Sequence, residues 1–65
     1  MTIHIVTWLG EVVGASTRLQ GAENIRIDFA RRHAAKLGRT NDHRFIESIY
    51  DRQTKITDVV LADEA

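Results

Sequence analysis

The chain contains no cysteine and no proline, only four glycines and four large aromatic residues, and its formal net charge is zero. The lack of cysteine rules out a disulfide framework and any thiolate metal site. The lack of proline and of low-complexity tracts argues against a linker or a disordered tail. No apolar run approaches the roughly 20 residues that a membrane-crossing helix requires. The opening residues, Met1 to Trp8, have neither the basic start nor the long apolar stretch of a signal peptide, so a cytoplasmic location is expected. The glycines do not form a phosphate-cradling loop, and no lysine follows them in Walker spacing. Ser16 and Ser48 have no Gly-x-Ser-x-Gly context, and no nucleophile stands beside an identifiable base. Catalysis needs several groups held by a rigid shell, which 65 residues supply poorly. The expectation is a non-enzymatic protein without cofactor or metal.

The length allows one domain, residues 1–65, with a small core. Its aromatic residues are Trp8, Phe29, Phe45 and Tyr50. Domains of this size commonly lean on a metal, a disulfide or a partner. With a disulfide and a thiolate metal site excluded, either a monomer supported by a larger partner or a homodimer is expected.

Residues 2–8 are β-branched and aromatic, which predicts a strand. Ile3, Ile5 and Thr7 share one face, and His4, Val6 and Trp8 the other. Both faces are partly apolar, so this strand should be internal or covered. Leu9-Gly10 reads as a tight turn into a second strand over 11–19, weakened and bulged near Gly14. From Gly21 to Gly38 the residues favour a helix over about 22–37, with Gly38 as its C-terminal cap. The alternation of Ile25, Ile27 and Phe29 leaves a third strand through Phe29 as the alternative. Thr40, Asn41 and Asp42 offer N-cap side chains. Phe45, Ile46, Ile49 and Tyr50 form an apolar stripe, which favours a short helix over about 42–52 against a strand reading of 43–50. Residues 55–61 read as a final strand, and 62–65 as a fraying tail. The predicted fold is α+β: a small antiparallel sheet, made of the N-terminal hairpin and the C-terminal strand, against two short helices in the order β-β-α-α-β. Phe29, Leu37, Phe45 and Ile49 should share one core.

Charge is segregated along the chain. Residues 18–44 carry Arg18, Arg26, Arg31, Arg32, Lys36, Arg39 and Arg44 against Glu23, Asp28 and Asp42, a balance of +4. Residues 45–65 carry Glu47, Asp51, Asp58, Asp63 and Glu64 against Arg52 and Lys55, a balance of −3. The two halves can attract each other within the fold or present separate faces to a partner. His43, Glu47 and Asp51 lie four apart, one polar row on a helix; a solvated helix face is the preferred reading over a divalent-cation site. Arg31, Arg32, Lys36, Arg39 and Arg44 form a basic set suited to phosphate. The Ala34 to Gly38 segment with the amphipathic stretch after it resembles a helix-turn-helix, with Asn41, Asp42, His43 and Arg44 opening the second helix. Asp42 would meet phosphate unfavourably, and the chain as a whole is not basic.

In size and makeup the chain resembles the small phage-encoded inhibitors of the anti-CRISPR kind. That group shares no motif, and the resemblance is one of type. It implies a single α+β domain that blocks a larger protein or ribonucleoprotein complex by direct contact. The acidic positions Glu47, Asp51, Asp58, Asp63 and Glu64 would then face a basic groove on the partner. The alternatives are a nucleic-acid-binding regulator using the basic set, and a structural or assembly subunit.

Overall fold

The computed structural model describes residues 1–61. Two strands, β1 (Thr2–Trp8) and β2 (Glu11–Ser16), form a hairpin, and helix α1 (Leu19–Lys36) follows. A short helix α2 (His43–Ser48) runs on into one π-helical turn (Ile49–Gln53), which delivers the chain into β3 (Thr54–Val60). The sheet order is β2-β1-β3 and every pairing is antiparallel. The domain is thus α+β in the order β-β-α-α-β, with the first strand of the chain at the centre of its sheet.

The hairpin turn is tight because Leu9 (φ 49°) and Gly10 (φ 89°) both take left-handed backbone conformations, as a two-residue hairpin loop requires. Glycine does so freely, whereas leucine is strained there. Leu9 is also largely exposed, so its side chain offers little packing in return. Leu9→Asn should therefore raise stability by about 0.5–1 kcal/mol, since Asn tolerates this region and Asn-Gly suits the turn. In thermal melting that corresponds to a gain of roughly 2–8 °C for a domain of this size; a midpoint at or below wild type would count against strain at Leu9.

The bulge falls where the β1–β2 register shifts: Val6 pairs with Gly14 but Thr7 with Val12, leaving Val13 as the extra residue. The second strand ends at Ser16, not Leu19, because α1 begins one turn earlier than the 22–37 span implies. Ser16 Oγ accepts a hydrogen bond from the Arg18 amide at 3.1 Å and so closes the corner between strand and helix. Residues 24–29 are helical. The alternation of Ile25, Ile27 and Phe29 does not make a strand, and Ile27 is left on the exposed side of α1. The helix ends as its sequence suggests. Gly38 has φ 72°, and the Gly38 and Arg39 amides bond back to the Ala35 and Ala34 carbonyls at 3.1 and 2.8 Å, a Schellman closure.

Helix α2 packs mainly against α1, which itself packs on one side of the sheet against all three strands. Val6 is fully buried there, and Ile25 lies so close to Gly14 that a Cβ at that position would sit 2.8 Å from Ile25 Cγ2. At the far end Ala30, Ala34 and Ile49 are buried, with Trp8, Phe29, Phe45, Ile46 and Tyr50 packed around them. Trp8, Phe29 and His33 form an aromatic cluster with ring centroids 5.0 to 5.9 Å apart. Phe29, Phe45 and Ile49 thus share a core as the sequence suggests. Leu37 does not: it is the C-cap residue of α1, past the last packed turn, and is 56% exposed.

Candidate functional site

The second helical segment carries most of the residues singled out from sequence. Asp42 caps it, its carboxylate accepting from the Phe45 amide at 3.0 Å. Arg39 lies over the Phe45 ring at 4.6 Å and 3.8 Å from Asp42. After Ser48 the helix widens: the Thr54 amide bonds to the Ile49 carbonyl, five residues back. That step frees the Tyr50 carbonyl, which accepts from Arg26 Nη2 at 2.8 Å and Thr54 Oγ1 at 2.6 Å. Arg26 also donates to Thr54 Oγ1 and Glu23, and its guanidinium lies 4.0 Å from the Tyr50 ring centroid. The Tyr50 hydroxyl donates to the Glu23 carboxylate. One arginine of α1 thereby fixes the wide turn and everything mounted on it.

This network was not recognised from sequence. The only signal was the i,i+3 spacing of Glu23 and Arg26, which reads equally well as an ordinary surface pair. It holds the Tyr50 hydroxyl above its ordinary value of 10.0, mainly through the bond to Glu23 and then through burial, with Arg26 opposing. A raised folded-state value means that the native protein retains the proton longer than the unfolded chain. This contribution is therefore fully present below about pH 10 and is lost as pH rises through the folded value. Tyr50→Phe should cost about 1–2 kcal/mol near neutrality, and the difference from wild type should shrink above pH 10. Denaturant titrations of both proteins from pH 7 to 11 measure it; a difference constant across that range would contradict the linkage.

His43, Glu47 and Asp51 do not line one common depression. His43 and Glu47 line a groove of about 450 Å³ between α1 and α2, together with Ile27, Ala30, Arg31 and Ile46. Asp51 lines a second depression, which it shares with Arg44, Glu47, Ser48 and Arg52. Among the described residues no three His, Asp or Glu side chains converge as a metal site would require.

The acidic positions do not form one continuous face. Glu47 and Asp51 are exposed neighbours on the second helical segment, interleaved with Arg44 and Arg52. Asp58 lies on β3, where its carboxylate meets His4 Nδ1 at 2.6 Å. Asp63 and Glu64 lie outside the described residues. Of the basic set, Arg32 pairs with Asp28 at 3.0 Å and Arg39 with Asp42 at 3.8 Å. Arg31, Lys36 and Arg44 are exposed, and none of them is in an ion pair among the described residues.

Every Lys/Arg ion pair among the described residues joins side chains three or four apart within residues 18–44. None ties the basic middle to the acidic end, so direct pairing does not make the two halves neutralise each other. No described helix is long and apolar enough to cross a membrane. No family model, no curated protein and no solved structure matches the chain.

Proposed function

We propose that this chain is a small non-catalytic binding protein that blocks a larger nucleic-acid-handling complex by direct contact, as its resemblance to anti-CRISPR inhibitors implies. The observation that supports this reading is that Glu47 and Asp51 are exposed and enter no ion pair among the described residues. They sit on a segment that Arg26 and the Asp42 cap hold in place. Two carboxylates on a fixed scaffold suit a basic groove, and complementary charge accelerates encounter more than it tightens the final complex. A second reading, a nucleic-acid-binding regulator, is supported by Arg31, Lys36 and Arg44, which are also exposed and enter no ion pair among the described residues.

Charge reversal separates the two. The double variant Glu47→Lys, Asp51→Lys should fold normally and associate with the complex about tenfold more slowly or worse, since steering acts on the on-rate. Capture of the complex should resist nuclease. Arg31→Glu with Arg32→Glu should leave that association largely intact. Binding of free duplex DNA at physiological salt, removed by the arginine reversals alone and with a reduced salt slope, would replace the inhibitor reading with the regulator.

A further inference from the structure

The side of the sheet turned away from the helices is apolar along most of its length. Side chains alternate across a strand, so with Val6 and Trp8 on the helix side, Ile3, Ile5 and Thr7 point the other way. The β1–β3 register sets Val59 beside Ile3, Thr57 beside Ile5 and Lys55 beside Thr7. The Leu61 amide and the Met1 carbonyl extend that ladder by one more pair, at 2.7 Å. On the other flank Ala15 pairs with Ile5 and Val12 with Thr7. Met1, Ile3, Ile5, Val59, Leu61 and Val12 thus share one surface, on which Lys55 is the single charged side chain among the described residues. Met1 is 75%, Val12 68% and Leu61 46% exposed. An antiparallel sheet with one wet face normally alternates apolar with polar; this one does not.

We propose that a second copy of this chain covers this face, the two sheets packing against each other with the helices outside. The dimensions favour a sheet as the occupant. Strands of eight, six and eight residues, counting the Met1–Leu61 pair, span roughly 15 by 20–26 Å, whereas a single helix about 10 Å across would leave part of the face wet. Allowing for side-chain relief, two such faces bury on the order of 1,200 Å², the lower end of the range for specific stable interfaces. A face with one charge gives nucleic acid no hold. The proposal does not depend on which partner the helical side meets.

Sedimentation equilibrium of the full chain across micromolar to millimolar concentration tests it. The expected result is a dimer whose dissociation constant rises at least tenfold with Ile5→Lys and by less with Ile5→Thr. Each variant should keep the wild-type circular dichroism spectrum. Because Ile5→Lys can also unfold the monomer, a second measurement uses cysteine, which the chain otherwise lacks. Thr57→Cys, on the open face, should cross-link to dimer with a short bismaleimide, while Asn24→Cys, on exposed α1, should not. A monomer at every concentration would overturn the proposal. So would a dimer in a folded Ile5→Lys variant that is as tight as wild type, or cross-linking through Asn24→Cys in preference to Thr57→Cys, which would place the contact on an edge strand or on the helices.

Discussion

Ile49→Ala should unfold most of the protein at 37 °C. Ile49 is fully buried, and it joins Ala30 and Ala34 at the centre of a core whose remaining members are only part-buried. Truncating a fully buried isoleucine costs about 2–5 kcal/mol through lost transfer energy and the cavity left behind. At typical stability per residue, a domain of this length holds roughly 3–10 kcal/mol in all. The facing alanines are too short to collapse into the space, which puts the expected loss in the upper half of the range. Urea titration followed by Trp8 fluorescence measures it. A loss below about 1 kcal/mol would mean that Ile49 is not the keystone that its burial indicates. Phe45→Ala, by contrast, should fall below the roughly 3–5 kcal/mol of a fully buried phenylalanine, because Phe45 lies at the part-buried margin of the same cluster.

The second large effect is expected at Arg26. Its guanidinium makes three hydrogen bonds, to Glu23, Thr54 and the Tyr50 carbonyl, and packs on the Tyr50 ring. Arg26→Ala removes all of them and leaves the Glu23 carboxylate, 30% exposed, without its cation. Hydrogen bonds to charged groups contribute about 1.5–3 kcal/mol each before coupling; because these act as one network, about 2–4 kcal/mol in total is expected. Arg26→Lys should recover less than half, because an ammonium cannot reproduce the planar fork. Hydrogen exchange adds a local readout: the amides from Ile49 to Thr54 should lose protection before those of β1. Uniform loss across the domain would show that Arg26 supports overall stability without specifically fixing the wide turn.

The elements were legible where a single physical signal dominated. The β-branched run of β1, the left-handed turn at Gly10 and the closure at Gly38 each follow from residue type alone. The central helix was harder, because Ile25, Ile27 and Phe29 satisfy two periods at once. Partners outside the segment support the helix: Gly14 leaves the space into which Ile25 packs. The π-helical turn is hard to read from the sequence, since one of the two groups that hold the Tyr50 carbonyl it frees, Arg26, lies 24 residues away. Leu37 was misplaced because an apolar residue beside a C-cap glycine looks the same whether the helix end is covered or bare. The exposure of Glu47 and Asp51 fits their place outside the apolar stripe. Their interleaving with arginines does not emerge from a count of charge along the chain.

The position of β1 between β2 and β3 also governs how fast the fold can be reached. Its pairing with β2 closes a loop of two residues, but its pairing with β3 joins Thr2 to Val60. Nearly every contact along that second seam must wait for a long closure whose entropy is spent before any hydrogen bond rewards it. The hairpin and α1 can form early and locally. The barrier therefore lies in docking β3, and the chain should fold more slowly than a helical bundle of equal length. Until β3 docks, the other edge of β1 presents an open row of amides and carbonyls beside Ile3 and Ile5, which makes the interval before docking the period of greatest exposure to misassociation.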